Sequence, residues 1–337
     1  MISIIIDNKQ LNVAEGTTIL QAARDAGITI PTLCYLEGIN DIGACRLCIV
    51  EVEGQTRLVP SCNTKAEDGM VIRTNTEKVR NARRLNAEMI LSQHHCECTT
   101  CVRSGNCELQ QMCKAYGVTE ENKFVGEMLE CEIDTSAAHM IRDNSKCVLC
   151  RRCVAVCEKV QGIGVIGANG RGFGTYIGSP FDMGLGETSC VSCGQCIAVC
   201  PTGALAEKDY IDEVLAAIDD PEKYVCVQTA PAVRAALGEE FGYPMGTDVE
   251  GKMAAALRRI GFNKVFDTDF SADLTIMEEA NELLARIKDI RSSEKIFWRK
   301  VLDIYATSID YDPKNKLSIE FFSLNPLATK LKKLIFD

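Results

Sequence analysis

Ile2 to Ile6 is a β-branched run, Asp7-Asn8-Lys9 a turn signal and Leu11 to Val13 a second apolar stretch, a pattern that predicts a hairpin. Thr17 and Thr18 precede ILQAARDAG, whose spacing predicts a helix with a hydroxyl at its N-cap and Gly27 at its stop. Leu47 to Val52 and Thr56 to Val59 read as a strand pair turning at Glu53-Gly54, and Met70 to Arg73 as a further strand. The result is a small sheet crossed by one helix. Residues 76 to 92 predict a second helix, followed after residue 113 by a polar stretch to about 135. From Tyr224 the text becomes α/β, with an apolar run at Val225 to Val227 and helical patterns at 250 to 260 and 275 to 287.

Composition changes this picture through cysteine. The chain has 337 residues, and eighteen of its 19 cysteines lie in the first 200, leaving Cys226 alone thereafter. Such length predicts two or more folding units. A hydrophobic share of 46% and a charged share of 25% exclude a disordered chain. The net charge of −10 argues against nucleic acid as a partner, since phosphates need clustered Lys and Arg. No signal-peptide pattern or membrane-length apolar run is present, so a cytoplasmic protein without membrane insertion is expected. Disulfides are rare in that compartment, an odd count cannot pair completely, and dense cysteine there points to metal.

The spacings say which metal. Cys147-x2-Cys150-x2-Cys153-x3-Cys157 recurs as Cys190-x2-Cys193-x2-Cys196-x3-Cys200, followed by Pro201. In two-cluster ferredoxins the fourth cysteine of each run ligates the other cluster. One 4Fe-4S site is therefore expected at Cys147, Cys150, Cys153 and Cys200, and another at Cys157, Cys190, Cys193 and Cys196. Structural zinc prefers separated CxxC pairs. Cys34-x10-Cys45-x2-Cys48-x13-Cys62 supplies three thiols on a loop and a fourth beyond it, a 2Fe-2S arrangement with a longer first gap than the plant type, and Gly38 and Gly43 let the loop bend. His94-x3-Cys98-x2-Cys101-x5-Cys107 lacks one thiol for a cubane, which an imidazole can replace; His94 is favoured over His95 or Cys96. One 2Fe-2S and three 4Fe-4S clusters are thus expected, with Cys96, Cys113, Cys131 and Cys226 left without an assigned role.

With these residues in view, residues 1 to about 210 resemble the N-terminal accessory region of iron-only hydrogenases and the iron–sulfur subunits of respiratory complex I and NAD-linked formate dehydrogenases. The likeness is carried by Cys34/Cys45/Cys48/Cys62, by HHCECTTCVRSGNCEL from His94 and by CVLCRRCVAVCEKVQGIGVIG from Cys147. It implies an α+β multidomain chain: a β-grasp 2Fe-2S ferredoxin domain over 1–78, a small helical 4Fe-4S domain with one His and three Cys ligands over 79–125, and a bacterial two-4Fe-4S ferredoxin-like domain over 138–210. Residues 224–287 look like the opening of the iron-only hydrogenase catalytic domain, a truncated α/β segment in which Ala230 and Pro231 would approach the active-site H-cluster. That family holds the H-cluster with motifs of the type TSCCP, MPCxxK and CPGGC, none of which occurs here, so no H-cluster and no catalytic residue are expected in this chain.

Residues 288–337 form a divergent tail with ten Lys/Arg against seven Asp/Glu, and EKIFWRKVLDIYATSIDYDPKNKLSIEFF, Glu294 to Phe322, resembles RhuM-like virulence proteins. Alternatively, Phe297, Trp298, Tyr305 and Phe322 simply pack a helical extension. The glycine-rich GIGVIGANGRGFG, residues 162 to 174, lacks the setting of a nucleotide loop and reads as a hairpin shielding a cluster. Together these readings describe an electron-transfer protein served by ferredoxin or an NAD(P)H-oxidising flavoprotein subunit, with other hydrogenase subunits as further partners. An active hydrogenase, or the iron–sulfur subunit of an NADH or formate dehydrogenase complex, is the alternative.

Overall fold

A computed structural model describes residues 1–119 and 124–290, together with the strands 308–310 and 318–320. It divides into two compact units, 1–209 and 210–337. In the first, β1 (Ile2–Ile6) and β2 (Lys9–Val13) form the hairpin, with Asp7 and Asn8 in the left-handed region at its turn. The helix α1 (Ile19–Asp25) is capped by Thr18, whose hydroxyl accepts the Gln21 N–H at 3.2 Å. The strands β3 (Ile49–Val52), β4 (Val59–Pro60) and β5 (Val71–Arg73) complete a mixed sheet of order β2-β1-β5-β3-β4. In it β5 pairs parallel to β1 and antiparallel to β3. Ile4, Ile6, Leu20, Val50 and Ile72 fill the core between this sheet and α1, and Cys48 and Cys62 close its edge.

Next, α2 (Glu77–Ser92) is capped by Thr76 and held to the sheet by buried Arg83, whose guanidinium donates to the Ile49 carbonyl at 2.8 Å. The helix α3 (Glu108–Tyr116) was not expected; it stops where Gly117 turns left-handed at φ 63°. Its Leu109 and Cys113 face a second core that also takes in Leu33, Cys34, Leu47, Ala87, Leu91, Cys107 and Cys150. The strands β6 (Ile133–Asp134) and β7 (Met140–Asp143) then introduce the doubled cysteine region, which contains two one-turn helices, α4 (Arg152–Ala155) and α5 (Gln195–Ala198). Between these turns, β8 (Gly167–Asn169) and β9 (Tyr176–Gly178) make the glycine-rich stretch an antiparallel hairpin. The strand β10 (Leu205–Glu207) returns to β7, giving the order β10-β7-β6.

The second unit begins with α6 (Ile211–Asp219). Two parallel strands, β11 (Cys226–Gln228) and β12 (Lys264–Phe266), flank α7 (Pro231–Glu240) and α8 (Glu250–Ile260), and α9 (Thr268–Ile290) follows, longer at both ends than the sequence pattern predicts. Val249 and Met253 are buried here, whereas Phe241, Met245, Phe270 and Met277 are exposed. In the tail, β13 (Ser308–Asp310) pairs antiparallel with β14 (Ser318–Glu320). The packing of Phe297, Trp298, Tyr305 and Phe322 lies outside the described residues. No described helix is long and apolar enough to cross a membrane.

Candidate metal centres

All nineteen cysteines are free thiols. Cys34, Cys45, Cys48 and Cys62 are buried, and they lie in two sulfur–sulfur pairs. A hydrogen bond between Cys34 and Cys45 lowers the Cys45 pKa to about 6 while pushing Cys34 well up. One between Cys48 and Cys62 lowers Cys48 to about 7 and raises Cys62. Main-chain N–H groups of Leu33 and Leu47 point at the Cys45 sulfur. The loop reaches this shape because Gly43 and Arg46 adopt positive φ, 64° and 54°. A side chain at Gly43 would press on Asn63 as well.

The second set surrounds a cavity of about 450 Å³ between α2 and α3. His94, Cys98, Cys101 and Cys107 all line it, and so do His95, Cys96 and Cys113. His94 is buried while His95 is exposed. Cys113, unassigned from sequence, projects from α3 into the same space, where burial raises its thiol to about 11. Its position was legible: Leu109, Met112, Cys113 and Tyr116 follow the helical period. The opposite wall is Gly203, where a Cβ would collide with Cys101 Sγ.

Cys147, Cys150, Cys153 and Cys200 line a third cavity, and Cys157, Cys190, Cys193 and Cys196 a fourth, so each combines cysteines from both halves of the repeat. The repeat extends to the backbone: Leu149 and Ser192 both have positive φ, 52° and 55°, as do Arg151 and Gly194. Apolar burial pushes Cys147 up to about 12 and Cys150 and Cys196 up to about 11. A bound metal would supply the positive charge that offsets this lost hydration and favours the thiolate. Among the described residues no three His, Cys, Asp or Glu side chains gather closely enough for a single metal ion. Cys131 and Cys226 line none of these four groups, Cys131 being half-buried and Cys226 exposed.

The sets touch through protein. Asn40 Nδ2 donates to the carbonyls of Cys34, at 2.7 Å, and Cys150, at 3.0 Å. Glu108 N–H donates to the Pro201 carbonyl at 3.0 Å, and Cys107 Sγ lies 3.7 Å from the same oxygen. Arg152, buried beside Cys153, forms a two-pronged ion pair with Glu108 at 2.6 and 2.9 Å.

Comparison with known proteins places this arrangement. Residues 1–77 match a 2Fe-2S iron-sulfur cluster binding domain, 83–122 the NADH-ubiquinone oxidoreductase-G iron-sulfur binding region, and 146–204 a 4Fe-4S dicluster domain. A chain from the crystal structure of an NAD+-reducing [NiFe]-hydrogenase in the H2-reduced state is 31% identical, with a TM-score of 0.57, and is covered over 87% of its length by 61% of this chain. The protein belongs to the hydrogenase-type iron–sulfur proteins. Within that group it is 53% identical over 292 residues to the NADP-reducing hydrogenase subunit HndD of Solidesulfovibrio fructosivorans, covering 85% of this chain and 50% of the relative. It is 43% identical over 293 residues to iron hydrogenase 1 of Clostridium pasteurianum, again 86% against 50%. This hydrogenase-type chain therefore spans half the length of both relatives. Residues 223–298 match the C-terminal domain of the iron-only hydrogenase large subunit, and 271–331 the virulence protein RhuM family, so the two overlap over 271–298.

Proposed function

We propose that the first unit is a branched electron relay holding one 2Fe-2S and three 4Fe-4S clusters. Bound there, these clusters would supply reversible one-electron chemistry. Cys34 with Cys45 would hold one iron of the 2Fe-2S cluster and Cys48 with Cys62 the other. His94, Cys98, Cys101 and Cys107 would hold the second centre; Cys147, Cys150, Cys153 and Cys200 the third; and Cys157, Cys190, Cys193 and Cys196 the fourth. The donor sets fit these groups: soft thiols in apolar surroundings, glycine where sulfur approaches the main chain, and no disulfide competing for them.

The observation that carries the branching is the double attachment of the third set. Asn40 ties it to the first, and Pro201, directly after Cys200, ties it to Cys107 of the second. The fourth set shares a core with the third through Cys153, Cys196 and Cys200. Electrons entering at either the first or the second site would thus meet at the third and leave by the fourth. Ferredoxin or an NAD(P)H-oxidising flavoprotein subunit is the proposed donor or acceptor, other hydrogenase subunits are further partners, and a cytoplasmic setting suits such a chain.

Anaerobic reconstitution with iron and sulfide counting and EPR tests this reading. About 14 irons per chain, one 2Fe-2S signal and three 4Fe-4S signals are expected; a colourless protein holding zinc without acid-labile sulfide overturns it. The match of residues 223–298 to the hydrogenase large subunit favours a second reading, an active hydrogenase. Cys226 is the one thiol beyond Cys200, so we infer no H-cluster on this chain; hydrogen evolution from reduced methyl viologen would establish the opposite.

A further inference from the structure

The two halves of the cysteine repeat have the same spacing and the same left-handed backbone positions, yet of the two cavities one alone is lined by an imidazole. His139, half-buried just before β7, lines the cavity of Cys157, Cys190, Cys193 and Cys196. Its Nε2 lies 3.9 Å from Cys190 Sγ, and its Nδ1 lies 2.9 Å from the Ser192 hydroxyl. Main-chain pairing fixes where the ring starts: Met140 stands opposite Glu207 in the β7–β10 ladder, and the Lys208 N–H donates to the His139 carbonyl at 3.1 Å. The cavity of the other half is lined by no histidine among the described residues, and the buried cation of that half, Arg152, is paired with Glu108. Ser192 is replaced there by Leu149, and the hydroxyl near Cys200 Sγ belongs to Thr202, which donates instead to the Lys146 carbonyl at 2.8 Å.

We propose that His139 donates a hydrogen bond from Nε2 to the Cys190 thiolate and thereby raises the potential of the cluster on Cys157, Cys190, Cys193 and Cys196. This rests on the cluster reading above. A donor aimed at a ligating sulfur stabilises the reduced, more negative state over the oxidised one, and so raises the potential. Ser192, held with its hydroxyl toward Nδ1, donates to that nitrogen and leaves the ring proton on Nε2. His139 is therefore a positioning residue, acting on the cluster through Cys190.

The test is an EPR-monitored redox titration of the reconstituted full chain. His139→Ala lowers the midpoint of one cubane so that, at the wild-type midpoint, its reduced-to-oxidised ratio falls about tenfold, equivalent to about 59 mV for one electron. The other three centres keep theirs. His139→Gln, which retains an N–H donor, recovers part of the shift, and Ser192→Ala gives a smaller fall at the same cluster. Unchanged midpoints in His139→Ala with full iron and sulfide overturn the proposal, as does a shift at a different cluster. If His139→Ala fails to assemble, Ser192→Ala decides, and an unchanged midpoint there overturns it. Absence of a fourth cluster from the wild-type protein removes the cluster reading itself, an outcome that iron and sulfide counts separate from the rest.

Discussion

Asn40 donates through its buried side-chain amide to the carbonyl of Cys150, 3.0 Å away and 110 residues along the chain. The same nitrogen donates to the Cys34 carbonyl, so one side chain joins a loop of the first cysteine set to a loop of the third. Both carbonyls sit on cysteines that are themselves buried. Their alternative to Asn40 is therefore not bulk water.

Asn40→Leu keeps the volume and removes the donor, leaving two buried acceptors short of a partner at a cost of about 1–3 kcal/mol. The expected result is a lower midpoint in anaerobic guanidinium unfolding followed by cluster absorbance, with iron content unchanged in the folded protein. Asn40→Asp goes further down, since a carboxylate would face two carbonyl oxygens. A leucine variant as stable as wild type would show that the contact contributes nothing.

Gly203 is needed for space rather than for conformation, because its φ is not in the left-handed region while its Cβ would meet Cys101 Sγ. Gly203→Ala must push the Cys98–Cys101 loop away from Pro201, a kind of overpacking that costs about 1–3 kcal/mol. EPR of the variant is expected to show a changed or missing signal from the second centre beside an unaltered 2Fe-2S signal. If the 2Fe-2S signal changes instead, the steric assignment is wrong.

How much of this was legible from residues alone depends on how local the cause is. The Thr18 cap, the β1–β2 hairpin and α2 behind Thr76 are set by neighbours within a few positions, and the pattern reads them directly. The insertion of β5 between β1 and β3 is not local: three residues carry no register, and parallel pairing with β1 is settled by the core they share. The helix α3 had its signals, Glu108 in the first turn, Lys114 in the last and Gly117 at the stop, but they were overshadowed by the cysteines around it. Asn40 and His139 were invisible for a different reason. Neither belongs to a spacing, and each acquires its meaning only from a partner brought in by another element.

Around the second centre, burial separates the candidates that spacing leaves open. His94 is inside and His95 outside, and the Cys96 thiol turns toward the His94 carbonyl at 3.4 Å. His94→Ala is therefore expected to lose about 4 irons per chain and one 4Fe-4S signal, whereas His95→Ala and Cys96→Ala keep both. Cys113→Ser should also retain the metal while losing stability, because it places a hydroxyl in an apolar wall. Loss of the signal in Cys96→Ala with retention in His94→Ala would transfer the fourth ligand to Cys96.

Asp134 holds the β6–β7 corner against acid. Its carboxylate receives the Ser136 N–H at 3.0 Å, the Ser136 hydroxyl at 2.6 Å, the Leu185 N–H at 3.0 Å and the buried Arg142 guanidinium at 2.8 Å. Burial alone would raise its pKa, but these donors together outweigh it and hold the group below the ordinary 3.8. A carboxylate with a depressed folded pKa adds stability that is complete above the unfolded value and disappears as pH falls through the folded one. Wild-type apoprotein should thus lose stability below pH 3.8 more steeply than Asp134→Asn, which at neutral pH is weaker by roughly 2 kcal/mol because the amide offers one acceptor oxygen to these four donors and leaves the buried Arg142 without a counter-charge, beside the Ser179 hydroxyl at 3.2 Å. Unfolding curves at pH 7 and across the acid range measure both effects. Parallel acid limbs for the two proteins would remove Asp134 as the source of the slope.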